Sequence, residues 1–105
     1  MEVTQLFHAL GDPIRLEMVR RLASGQAHTL SSVSQNLKIT RQGARKHLQI
    51  LSVAHVIAFK QQGRVTQVRL LRDTLDQGRA FIASLEKAWD TRLGALKRVV
   101  EEYKI

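Results

Sequence analysis

Residues 40–51 read Thr40-Arg41-Gln42-Gly43-Ala44-Arg45-Lys46-His47-Leu48-Gln49-Ile50-Leu51, and this stretch decides the fold. Thr40 suits a helix N-cap, because its hydroxyl can accept from a free first-turn N–H. Ala44, Leu48 and Leu51 recur at spacings of four and three, which puts them on one buried helical face. Opposite them stand Arg41, Gln42, Arg45, Lys46 and Gln49, with no acid among them. The face of a helix opposite a core is always polar, so polarity alone means little. A face that is basic without one compensating acid points to a polyanion.

Upstream, Thr29 can cap a short helix with Leu30, Val33 and Leu37 turned inward, and Lys38-Ile39 form a tight turn. A short helix, a brief turn and a second helix with a basic outer face is the helix-turn-helix pattern. Downstream, Val56–Lys60 and Val65–Leu70 read as strands with Gln62-Gly63 between them, Gly being able to take a positive φ. A hairpin placed there is a wing. Its tip carries Lys60 and Arg64, placed for phosphate, although hairpin tips are commonly polar anyway.

Further out, Val3, Leu6, Phe7 and Leu10 share a helical face that Gly11 ends. Asp12 can cap a second helix with Pro13 at its first position. Ile14, Met18, Val19 and Leu22 form the stripe of that helix, and Gly25 stands where a C′ residue is expected. At the other end, Asp73 can cap a last helix running to about Tyr103. Leu75, Ile82, Leu85, Trp89, Leu93, Leu96, Val100 and Tyr103 make its apolar seam. Some 30 helical residues span about 45 Å, more than a domain of this size covers, so the seam is expected to pack against a symmetry mate. Trp89 could instead line a ligand pocket, but an aromatic at helical spacing is more often core or interface.

The charge distribution agrees. The 105 residues carry a formal net charge of +8. Between Glu17 and Asp73 there is no acid, while Arg20, Arg21, Lys38, Arg41, Arg45, Lys46, Lys60, Arg64, Arg69 and Arg72 give that block +10 and leave the rest at −2. There is no cysteine, which removes disulfides and thiolate metal sites. The four histidines are scattered, with no i, i+3 or i, i+4 pair, so no metal site and no cofactor are expected. No signal-peptide pattern and no apolar run of membrane-spanning length is present, which predicts a cytoplasmic protein without a membrane partner. No Gly-rich phosphate loop, nucleophile–base spacing or carboxylate pair suggests an enzyme. The mixed charges of the last helix argue against a membrane-surface anchor.

The reading so far is mainly α with a β-hairpin wing: a winged helix-turn-helix of order α-α-α-α-β-β-α, one domain over 1–105 with a dimerisation helix at about 73–104. Two stretches carry a family resemblance at this point. Leu6-Phe7-His8-Ala9-Leu10-Gly11-Asp12-Pro13-Ile14-Arg15-Leu16 resembles the opening F-K-A-L-A-D-P-T-R-L of ArsR/SmtB-type winged-helix repressors. Ile39 to Leu51 resembles their recognition helix, L-S-Q-P-T-V-S-x-H-L-x-x-L. The resemblance covers nearly the whole chain. It implies a homodimer through the first and last helices, with Leu6, Phe7, Leu85, Trp89, Leu93, Leu96 and Val100 at the interface, repressing transcription at an operator. Trp89-Asp90-Thr91-Arg92-Leu93 is similar to a metal-independent branch. The family's Cys-Val-Cys metal site is replaced by Thr29-Leu30-Ser31, and the last helix has no His, so the residues name no inducer. His55 stands where the family pattern has Gly.

The expected double-stranded DNA contacts divide by chemistry. Arg41, Gln42 and Arg45 are base-reading candidates, since Arg pairs with guanine and Gln with adenine in bidentate fashion. Thr40, Lys46, Lys60 and Arg64 suit phosphate, and Gln49 completes the polar face. His47 could reach a phosphate or fill the helix flank. Gly43, costly inside a helix, either admits close approach to DNA or is simply tolerated. The leading function is a dimeric sequence-specific repressor on a pseudo-palindromic operator; the alternative is a nonspecific architectural DNA-binding protein.

Overall fold

The computed structural model describes residues 3–103. In chain order the elements are α1 (Val3–Leu10), α2 (Pro13–Leu22), β1 (His28–Thr29), α3 (Leu30–Ser34), α4 (Arg41–Val53), β2 (Ile57–Gln62), β3 (Val65–Leu70) and α5 (Arg72–Glu102). The expected helices and hairpin are present in the expected order. One strand is additional. β1 pairs antiparallel with β3, His28 opposite Val68 and Thr29 opposite Gln67, making a three-stranded sheet of order β1-β3-β2. Two residues are too few for an alternating pattern to show in sequence. Thr29 then also starts α3: its hydroxyl accepts from the Ser32 N–H, and the Ser32 hydroxyl accepts from the Thr29 N–H, a reciprocal capping box with Ser in the usual Glu position.

The core collects Leu6 and Ala9 from α1, Met18 and Leu22 from α2, Val33 from α3, Ala44, Leu48 and Leu51 from α4, and Ala54, Val56, Ile57 and Val68 from the following turn and sheet. Asp12 caps α2 as expected, its Oδ1 accepting from the N–H groups of Ile14 (2.8 Å) and Arg15 (3.1 Å). α4 closes with a Schellman motif. The His55 N–H donates to Ser52 O, the Val56 N–H donates to Leu51 O, and His55 adopts φ +58. His thus occupies the left-handed position that favours Gly. Because Val56 is committed to that bond, β2 starts at Ile57 rather than Val56.

Besides β2, four local boundaries differ from the sequence reading. Gly25 (φ +86) lies two residues beyond the C-cap Ala23, not directly after it. α3 stops at Ser34, and Asn36 (φ +65) and Lys38 (φ +54) turn the chain while Leu37 packs half-buried against the core. The wing turn is Gly63-Arg64, since Gln62 pairs with Val65. Asp73 does not cap α5: Leu71 holds the N-cap position without a side-chain bond, and Asp73 sits inside the first turn. There its charge still complements the helix N-terminus.

α5 buries little of itself. Thr74 and Gly78 are its buried residues, and every described residue from Arg79 onward is exposed. A Cβ on Gly78 would lie 2.5 Å from Leu6 Cδ2, so glycine lets α1 and α5 close together. Leu6, at 2% exposure, belongs to the chain's own core and offers a partner no surface. Phe7 is more open and packs on Phe81, ring centroids 5.8 Å apart. Beyond that contact the helix projects. The molecule extends 74 Å along its long axis with a radius of gyration of 19.6 Å, against about 13 Å for a compact chain of this size. Among the described residues no helix is long and apolar enough to cross a membrane.

Candidate nucleic-acid interface

Thr40 begins α4 in extended geometry, and its Oγ1 accepts from the Gly43 N–H at 2.9 Å. The hydroxyl proton stays available for an outside acceptor, since a hydroxyl both donates and accepts. Ala44, Leu48 and Leu51 anchor the inner face, and this holds Arg41, Gln42, Arg45, Lys46 and Gln49 exposed on the outer one. A Cβ on Gly43 would approach Thr40 Oγ1 to 3.1 Å. That contact is tight, but Ser32 holds the equivalent position at the Thr29 cap of α3.

The basic block divides on inspection of its partners. Arg20 and Arg21 both pair with Glu17, at 2.9 and 3.4 Å. Arg21 also donates to Val33 O and Gln35 O, fastening the end of α3. Arg21 is committed within the protein, whereas Arg20 is paired on the surface of its own helix. Lys38, Arg41, Arg45, Lys46, Lys60, Arg64, Arg69 and Arg72 are exposed and have no ion-pair partner among the described residues. The uncompensated charge of the block is thus carried by the helix-turn-helix turn, the outer face of α4, the wing and the first residue of α5.

On the wing, Lys60 lies opposite Gln67 in the hairpin and Arg64 is in the two-residue loop. Gly63, first in that loop, has φ +62, as a II′ hairpin turn requires. Gln61 stiffens it, donating to Gly63 O and accepting from the Thr66 hydroxyl. Between α3 and α4 lies a polar groove of about 460 Å³ lined by Ser31, Ser34, Gln35, Thr40, Arg41 and Arg45. The α3 hydroxyls beside the basic face were not among the sequence candidates; their signal was the Ser31–Ser34 spacing, three apart on the outer side.

His47 is placed on the flank and not on the exposed face. Its Nδ1 lies 3.1 Å from Arg15 Nη1 and 4.0 Å from Asp12 Oδ1. Arg15, 8% exposed, also donates to Ala9 O and His8 O of α1. The Asp12 carboxyl is held below its usual pKa, chiefly by the Arg15 backbone N–H. The Ile14 N–H and the Arg15 charge assist, while burial opposes them. Among the described residues no three His, Asp or Glu side chains gather as a metal site.

A capped, solvent-facing basic helix in a helix-turn-helix, followed by a basic hairpin, defines a winged helix-turn-helix DNA-binding protein. The helix-turn-helix domain family matches residues 10–57. Among solved structures, the chain is similar to an ArsR-like transcriptional regulator from Rhodococcus sp. RHA1: 28% identity, TM-score 0.80, covering 92% of this chain and 91% of that one. A second ArsR family transcriptional regulator gives 26% identity and TM-score 0.76, covering 86% and 95%. A possible transcriptional regulator for arsenical resistance gives 25% and 0.69, covering 94% and 96%. No curated protein matches the sequence. The chain is a DNA-binding transcriptional regulator with the ArsR-type winged helix-turn-helix fold, a fold of regulators and not of enzymes.

Proposed function

We propose that this protein is a homodimeric repressor that recognises a pseudo-palindromic operator, as a single winged-helix unit in the cytoplasm with α5 as its dimerisation helix. The observation that carries the reading is the outer face of α4: Arg41, Gln42 and Arg45 stand exposed and unpaired in the first half of a capped helix, where side chains of a recognition helix meet base edges. Lys46, Thr40 and the wing residues Lys60 and Arg64 suit the phosphates on either side.

Dimerisation is supported by the bare seam of α5, where Leu85, Trp89, Leu93, Leu96 and Val100 are all exposed. A groove of about 490 Å³ between α1 and α5, bordered by Phe7, Leu10, Leu75 and Ile82, continues that seam. Two α4 helices related by a two-fold would enter successive major grooves about 34–36 Å apart.

The test is fluorescence anisotropy on the DNA upstream of the protein's own gene against a scrambled duplex, near physiological salt. Preference for the native duplex by a factor of about 10³ or more supports the specific regulator. Equal and steeply salt-dependent binding to both, repeated across a genome-wide selection, would favour the architectural alternative.

A further inference from the structure

We propose that Arg15 and His47 position the recognition helix, Arg15 pinning α4 to the C-terminal end of α1 through the His47 ring. The proposal rests on the reading of α4 as the helix that reads bases. Arg15 shares a helical face with Met18 and Leu22, and all three are buried. A guanidinium has five N–H donors and no acceptor, so a buried one must find acceptors. Nε donates to Ala9 O at 2.6 Å and Nη2 to His8 O at 3.4 Å, both in the last turn of α1. Nη1 faces His47 Nδ1 at 3.1 Å.

Because Arg15 can only donate, His47 Nδ1 must accept. In the proposed bond the ring is neutral and its proton sits on Nε2. Among the described residues this is the one side-chain hydrogen bond linking α4 to α1 and α2. The rest of that packing is apolar, through Ala44, Leu48 and Leu51, and apolar contact is non-directional. The Arg15–His47 bond therefore adds a directional constraint to the rotation that the apolar anchors give α4. Base reading needs hydrogen-bond alignment, whereas phosphate attraction tolerates displacement. Loss of the bond lowers discrimination before it lowers charge-driven affinity.

The bond also depends on protonation. A protonated His47 would present an N–H to the guanidinium, and its favourable neighbour would be Asp12 Oδ1, 4.0 Å away. The charged or titratable groups around it are Arg15 and Asp12 of the α2 end, His8 of α1, and Lys46 beside it on α4.

The test uses the full chain with two substitutions. His47→Asn places an Oδ1 acceptor near the Nδ1 position and does not titrate. His47→Leu removes the acceptor. Anisotropy on native and scrambled duplexes is followed from about pH 8 to about pH 5.5. In wild type, preference for the native duplex should fall toward acid. His47→Asn should keep it, flat with pH. His47→Leu should lose it about tenfold or more at every pH, with scrambled-duplex binding within about twofold of wild type. Without DNA, ¹⁵N NMR of the wild-type ring should show a bare Nδ1 and a protonated Nε2, and α4 amides should exchange faster in His47→Leu than in His47→Asn. A proton on Nδ1, or folded His47→Leu with full preference, or His47→Asn as impaired as His47→Leu, overturns the proposal. Should wild type prefer no duplex, the regulator reading fails instead. The amide comparison then decides the clamp, and equal protection in the two variants overturns it.

Discussion

α4 buries its apolar residues against the chain's own core and leaves bases without acids on the outside. α5 leaves its apolar seam uncovered from Phe81 to Tyr103, among side chains of both signs. Both helices are amphipathic, and periodicity alone describes them alike. What separates them is the complement each lacks. α4 lacks a negative surface, as a DNA reader would. α5 lacks an apolar surface, as half of a dimer would. The two incomplete faces fit the two different partners proposed above.

The contrast is sharpest in a pair of truncations. Leu48 is 1% exposed in the core and Leu93 is 45% exposed on the seam. Leu48→Ala should cost about 2–5 kcal/mol of unfolding free energy, and that cost should not change with protein concentration. Leu93→Ala should cost little per isolated chain but show a concentration-dependent midpoint, because its loss falls on association. Chemical denaturation at several protein concentrations reads both. Equal, concentration-independent losses would erase the distinction between the helices.

A charge on the seam is the next largest effect. Leu93→Asp should weaken self-association by about 30-fold or more, the scale of an interface hot spot, while leaving the helix-turn-helix folded. Analytical ultracentrifugation checks the first outcome and circular dichroism the second. An unchanged sedimentation profile would assign the seam another cover.

How far these regions were legible follows from their physics. The α4 face, the wing and the seam are local periodicities, and they stand where the sequence put them. β1 was hidden because two residues show no pattern and its pairing with β3 is long-range. The buried position of Arg15 was readable from its spacing to Met18 and Leu22, but its acceptors on α1 and α4 were not. For His47 the sequence allows phosphate or flank, and only the fold shows its Nδ1 beside Arg15 Nη1. Sequence counts ten bases in the basic block without their partners, whereas tertiary packing engages Arg21 with Val33 O and Gln35 O.

On the DNA side, Arg45→Ala should cost about 1–3 kcal/mol, concentrated at particular base pairs. Lys46→Ala should weaken all duplexes alike and reduce the salt slope by about one. Anisotropy across an operator-variant panel at several salt concentrations separates them. Uniform losses from both would make the α4 face electrostatic only, and the chain an architectural binder.

The smallest effects lie at the two helix starts, which are built differently. α4 opens on a hydrogen bond, Thr40 Oγ1 accepting from the Gly43 N–H. α5 has no side-chain cap bond, but Asp73 stands in its first turn. A cap bond is short-ranged and little affected by salt, whereas a charge on a helix dipole is screened. Thr40→Ala should therefore cost about 1 kcal/mol of stability at both low and high salt. Asp73→Asn should cost about 0.3–1 kcal/mol at low ionic strength, and this loss should fade near 1 M salt, where the Debye length is about 3 Å. Denaturant midpoints of the DNA-free protein at the two salt levels read the difference. A salt-insensitive Asp73→Asn loss would mean that Asp73 supports α5 by a bond and not by its charge, and the two starts would then be alike.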